Sequence, residues 1–251
     1  MDQLTTELWL YGILGAIFVG LGKGGLPGMG NLTVALYALV LPDPKLSVGV
    51  LLPILSCSDI FAVRIYRKHG DTKLIMKLLP WTGIGLVLGY LLFRVLDAED
   101  VRTLIGGLLL GLTAIHLFRL WLISRSPNAE STVPDNLFFR AVMGVLGGFA
   151  TMIANAAGPV ASFYFMAMRL PKYAFIGTTA WFFLIVNLIK VPFMVELGII
   201  NWTWLPFSLA MMPFAIIATM LAPKIVKHIN QQWFERLIWL FIVYAGLKLI
   251  G

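Results

Sequence analysis

Charge is scarce in this chain. Of its 251 residues, 12% are charged and 59% hydrophobic, whereas a water-soluble domain is about a quarter charged and half apolar. Mean hydropathy is +0.89. That much apolar surface cannot be hidden inside a globule of this size, so the solvent must be lipid. Cysteine is nearly absent: Cys57 stands alone, which excludes an internal disulfide framework. His69, His116 and His228 are scattered, with no metal-ligand spacing and no HExxH, so no metal site is expected. Lys23 sits in Gly22-Lys-Gly-Gly but lacks the following Ser or Thr with which a P-loop holds magnesium. No nucleotide-binding domain is present either, which argues against direct ATP drive. Facing spans offer no nucleophile–base pair and no paired carboxylates, so the chain does not read as an enzyme and calls for no cofactor. Residues 1–7 are acidic rather than basic, so the first apolar run reads as retained, not as a cleaved leader.

What the chain does have is long apolar runs. A bilayer span needs about 20 mostly apolar residues, and six stretches qualify, at 46–66, 74–96, 101–123, 174–195, 203–221 and 233–250. Two further apolar regions, 8–40 and 138–168, are interrupted by glycine and proline at 20–31 and 154–159. A helix broken at membrane depth survives only inside protein or along a cavity. Each region therefore predicts two short helical pieces meeting at a break, either as a re-entrant hairpin or as two full crossings. The total is then eight or ten membrane segments.

The breaks recur. A shift of 128 lays Gly20 on Gly148, Gly30 on Gly158, Gly49 on Gly177 and Gly70 on Gly198, and it lays Asp59 on Asn187. The order of elements repeats with them. The expectation is an all-α polytopic membrane protein of two structural repeats, 1–123 and 138–251, joined by a polar cytoplasmic linker at 124–137. Each repeat is a broken or re-entrant helix pair plus three transmembrane helices. The net charge of +7 reads as basic cytoplasmic loops and not as a nucleic-acid footprint. Arg64, Arg67, Lys68, Lys73 and Lys77 surround one connection; Arg119, Arg125 and Arg140 flank the linker. Arg169 with Lys172, and Lys224, Lys227 and Arg236, mark two more. Acidic Asp2, Glu7, Asp43, Asp97, Glu99, Asp100 and Glu196 lie on the other side. This pattern predicts an inner-membrane protein with both termini outside and the repeats inverted, a design of many secondary transporters. Trp9, Trp202 and Trp204 suit the outer interface, Trp121 and Trp233 the inner one.

Lys23 is the sharpest candidate. A lysine at membrane depth is costly and points to a functional site. Gly22, Gly24, Gly25, Gly28 and Gly30 let backbone N–H groups turn toward a ligand, and a helix starting near Asn31 would aim its positive end at the same place. Together they describe an anion site. A break that reached the aqueous surface would instead leave Lys23 snorkelling. Asn155, with Gly158 and Pro159, occupies the mirror-related break, as a second ligand amide or as a helix cap at a kink. Asp59 could neutralise Lys23, accept a coupling proton, or pair with Arg64 or another base. Asn187 is its counterpart, and Lys190 lies one turn further on the same face, near enough to the outer end to snorkel. Thr178 and Thr179 could add hydroxyls to the site or satisfy backbone carbonyls. The spacings Gly85/Gly89, Gly107/Gly111 and Gly144/Gly148 match close helix contacts.

The phrases GLGKGGLPG (20–28), DIFAV (59–63), ANAAGP (154–159) and GTTAWFFLIVNLIKVP (177–192) resemble the TauE/SafE family of membrane transporters over essentially the whole chain. The resemblance implies export of sulfite or movement of organosulfonates and related small anions. Many members carry a run of glycines where this chain has Gly22-Lys-Gly-Gly and Ala156-Ala-Gly-Pro, so the lysine could mark a different anion. The expected function is thus a secondary transporter, an exporter of a small anion, using alternating access at the two breaks. The alternatives are an anion channel with the same breaks as its filter, and a proton-coupled uptake permease for an organic anion. The expected partners are the anion and the lipid bilayer; no nucleic acid is expected, and a homodimer is left open.

Overall fold

The computed structural model describes residues 5–26, 28–125, 136–225 and 231–251. Most of the 124–137 linker and Lys227, together with the side chains of Arg119, Lys172, Trp233 and Arg236, lie outside the described residues. The described chain is helical, with no strand among its described residues: α1 (Thr6–Lys23), α2 (Met29–Val40), α3 (Pro44–Tyr66), a 3-10 turn (Arg67–His69), α4 (Thr72–Val95), α5 (Ala98–Arg125), α6 (Leu137–Ala154), α7 (Gly158–Ala167), α8 (Lys172–Glu196), α9 (Leu205–Ile225) and α10 (Gln231–Ile250). Local chemistry sets several starts. The side chains of Thr5, Asp43, Asp71 and Asn136 accept from the backbone N–H groups of Leu8, Lys45, Leu74 and Phe139, the usual way to satisfy a helix's first donors. Pro44 stands in the first turn of α3, where its missing N–H costs nothing.

Among the described residues, six helices are long and apolar enough to cross a bilayer. Large apolar side chains such as Leu10, Ile84, Leu88, Leu91, Leu188 and Leu240 are 40% exposed or more; in water that surface would not be tolerated, and in lipid it is the expected face. The protein is a multi-pass membrane protein.

Both broken regions are hairpins. Thr33 donates to the carbonyl of Gly15 at 3.2 Å and Tyr37 to that of Gly12 at 2.8 Å, so α2 runs back along α1. Phe139 of α6 packs on Phe163 and Tyr164 of α7 with ring centroids 6.1 and 5.7 Å apart, while Val160 touches the Gly147 position. At about 1.5 Å per residue, the 12 residues of α2 and 10 of α7 fall short of a hydrocarbon core about 30 Å thick. Each is too short for a full crossing.

Of the four glycine pairs related by the 128 shift, Gly20/Gly148 and Gly49/Gly177 press on backbone at both positions, whereas a Cβ on Gly70 would meet Trp181 and one on Gly198 would meet nothing within 4 Å among the described residues. A Cβ on Gly20 would lie 2.3 Å from the Ala215 carbonyl and 2.7 Å from the Thr219 amide; one on Gly148 would lie 2.1 Å from the Thr82 carbonyl and 2.9 Å from the Leu86 amide. Thus α1 rests on α9 as α6 rests on α4. Gly49 meets the Ile199 carbonyl beside Gly198, and Gly177 meets the amide of Gly70. Gly30 and Gly158 instead face open space or the Asn31 side chain. One set of spacings is corrected. Gly85, Gly89, Gly144 and Gly148 do join α4 to α6, but a Cβ on Gly107 or Gly111 would meet nothing within 4 Å among the described residues, and Gly106 lies against the Gly246 carbonyl where α5 meets α10.

Gly20→Ala and Gly148→Ala should each lower stability by about 1–3 kcal/mol, the usual cost of overpacking, because backbone atoms block the new methyl. Gly107→Ala should be neutral or better. Thermal melts of the purified variants check this, and equal melting temperatures for all three would contradict the packing.

Candidate functional site

The two hairpin tips lie side by side inside the bundle. Hairpin one ends α1 at Lys23 and turns through Gly25 (φ 120°) and Gly28 (φ 82°), left-handed values that glycine adopts without strain. Hairpin two turns at Asn155 (φ 54°); asparagine is among the side chains that tolerate this region. The Asn31 side-chain oxygen comes within 3.8 Å of where a Cβ on Gly158 would stand, so the starts of α2 and α7 adjoin.

A cavity of about 450 Å3 surrounds these tips. Gly22, Lys23, Gly25, Gly28, Gly30 and Asn31 line it from hairpin one, and Thr151, Asn155, Gly158, Pro159 and Ser162 from hairpin two. Thr179 and Asn187 of α8 complete the polar part, and Phe183 of α8, His116 of α5 and Trp239 of α10 also line the cavity. The first intrahelical bond of α2 is Leu32 N–H to the Gly28 carbonyl at 3.0 Å, and that of α7 is Ala161 N–H to the Ala157 carbonyl at 2.9 Å. The amides before them have no intrahelical acceptor, and each start carries the positive end of a helix dipole. Asn31 is 3% exposed, and its amide nitrogen finds no acceptor among the described residues. The indole nitrogen of Trp239 is likewise unpartnered among them. Donors are in excess here.

Lys23 forms an ion pair with Asp59 at 2.6 Å and stands over the Phe183 ring, 4.5 Å from its centroid. The other carboxylate oxygen of Asp59 accepts from the Asn187 side-chain amide at 2.7 Å. Asp59 is 0% exposed and Lys23 side chain 15%, so a ligand in the cavity meets the ammonium first. Arg64, the alternative partner, is exposed at the surface. Lys190 does not snorkel: it is fully buried and donates to the Thr151 carbonyl and the Asn155 side-chain oxygen. Its target is the carbonyl end of α6, which favours a cation. Asn155 in turn donates to the Val48 carbonyl at 2.9 Å, so its amide is held from two sides.

Two of the proposed ligands stand elsewhere. The Thr178 hydroxyl accepts from the Asp71 amide at 2.8 Å, away from the cavity, where it supports the start of α4; Thr179 takes the lining position. Gly24 faces α9, its added Cβ only 2.0 Å from that of Ala222. Phe183, Thr151 and the stacked pair His116–Trp239, 4.1 Å between ring centroids, were not among the site candidates. The shift of 128 lays Thr151 on Lys23, a usable signal; no signal in the sequence brings α10 to α5.

Removing one partner of a buried pair costs about 3–5 kcal/mol, while removing both costs far less. Lys23→Ala and Asp59→Asn should each lower the melting temperature more than the double variant does. Additive losses in a double-mutant cycle would show that the two side chains are not coupled.

The model of the family described as sulfite exporter TauE/SafE matches residues 12–249. Neither the curated proteins nor the solved structures contain a match to the chain. With all but its ends matched, the chain belongs to the TauE/SafE sulfite exporter family, which transports sulfite or related anions across membranes.

Proposed function

We propose that the chain is a secondary transporter that exports a small anion, sulfite or an organosulfonate, by alternating access around the hairpin tips. In this reading the two halves are an inverted duplication in the inner membrane, with both termini outside. One observation carries the site. The Lys23 ammonium and the Asn31 side-chain amide, unpartnered among the described residues, line one cavity together with the starts of α2 and α7, and these groups favour a negative ligand. A negatively charged acceptor satisfies them all.

The size supports an organic body on some substrates. Small organic ligands occupy pockets of about 300–1,000 Å3, and Phe163, Met166, Phe175 and Trp239 supply an apolar wall beside the polar tips. The cavity also extends to Leu120, Met166 and Phe175, near the basic ends of α5, α7 and α8, which supports access from the cytoplasm. At the opposite end Gly49 presses on Ile199 so closely that a Cβ would lie 2.2 Å from the carbonyl oxygen. Access from one side at a time suits a transporter better than a channel. An inside-negative potential favours expulsion by about 2.3 kcal/mol per charge per 100 mV.

In a thermal-shift screen against sulfite, sulfate, thiosulfate, sulfonates and carboxylates, the bound anion should raise the melting temperature. The Lys23→Ala/Asp59→Asn double variant, which leaves no buried charge unpaired, should bind that anion about 10-fold more weakly or worse, the value of one charged hydrogen bond. Unchanged affinity in the double variant removes Lys23 from the site.

A further inference from the structure

We propose that an anion binding at Lys23 is accompanied by uptake of one proton on the Asp59 carboxylate, which makes Asp59 the binding site of the coupling ion. The inference rests on the transporter reading above. Among the described residues, Lys23 is the one lysine or arginine lining the cavity, and Asp59 already holds it. An arriving anion competes for the same ammonium. If Lys23 turned to the anion alone, Asp59 would remain as a carboxylate with no exposure and one neutral donor, the Asn187 amide. An uncompensated buried charge is strongly unfavourable. Protonation removes it. A proton from water adds to the carboxylate oxygen that faced Lys23, the other oxygen keeps the Asn187 hydrogen bond, and the ammonium keeps its charge and moves its hydrogen bond to the anion.

No other group near α3 is placed to do this. On α1 the remaining acid is Glu7, in the first turn and exposed; on α5 Glu99 and Asp100, and on α8 Glu196, are likewise exposed at helix ends. Tyr37 of α2 donates to Gly12, His116 of α5 stacks on Trp239, and Lys190 of α8 is held by Thr151 and Asn155. Lys224 stands in the last turn of α9, and Arg67, Lys68 and His69 form the exposed 3-10 turn. On α3 itself Lys45 lies in the first turn, Arg64 is exposed, and Cys57 and Tyr66 carry no charge to exchange with Lys23.

The charge balance then separates substrates. A monoanionic sulfonate travels with its proton as a neutral pair, insensitive to membrane potential; an acid outside opposes its export, so it leaves down its own concentration gradient. A dianion travels with one net negative charge and is still expelled by an inside-negative potential.

Isothermal titration of the purified full chain with ethanesulfonate and with sulfate tests this, since both stay ionised near neutral pH. The titrations are run at one pH in buffers of different ionisation enthalpy. The buffer dependence of the heat should report about one proton taken up per anion bound in the wild type, and none in Asp59→Asn. Binding with buffer-independent heat in the wild type overturns the proposal and leaves the anion site standing. Uptake that persists in Asp59→Asn and vanishes in His116→Gln moves the proton to His116 and also overturns it. A folded wild type that binds neither probe defeats the site reading itself, and the proposal with it.

Discussion

A carboxylate with no access to solvent is the constraint around which the bundle is arranged. Asp59 on α3 needs compensation, and it draws it from Lys23 at the tip of hairpin one and from Asn187 on α8. Those two bonds fix the tip of α1 against the middle of α3 and hold α3 beside α8. The cavity forms where the tips, so fixed, cannot close. Apolar side chains of similar volume would hold the same helices at least as well, since buried ion pairs rarely add net stability. The pair is therefore better understood as part of a site than as a brace.

Positions related by the shift of 128 carry different chemistry. Thr151 stands where the shift of 128 would place a second Lys23, and Ala62 where it would place a second Lys190. One lysine reaches the cavity from a hairpin and is matched by an acid. The other approaches a hairpin from α8, meets only carbonyl and amide oxygens, and remains fully buried. The first is available to a ligand; the second orients Asn155 from behind the wall.

Much of this was legible in the residues. Glycine and proline at 20–31 and 154–159 placed the breaks to within a few residues: α1 runs through Gly20 and Gly22 to Lys23, and Gly158 and Pro159 open α7 after a turn at Asn155, Ala156 and Ala157. The shift of 128 laid Asp59 on Asn187 but did not show that the two side chains meet; they do, at 2.7 Å. Side-chain direction was less legible. Lys190 is close enough to a helix end to snorkel, and only the carbonyls presented by α6 turn it inward. Thr178 and Thr179 are adjacent on α8 and point about 100° apart, so which one faced the cavity depended on the rotation of α8. Gly107 and Gly111 have the right spacing for a helix contact but the wrong face, because α10 docks on Gly106. Each of these depends on tertiary contacts that spacing along one helix does not encode.

The central claim is that a negatively charged ligand sits between Lys23 and the starts of α2 and α7. The most direct test is an anomalous difference map from crystals of the protein soaked with selenate. The account predicts a selenium peak in the cavity, within hydrogen-bond reach of the Lys23 ammonium and the Asn31 amide. Selenium found only at the basic loops, with Lys23 still locked to Asp59 and the cavity empty, would contradict it.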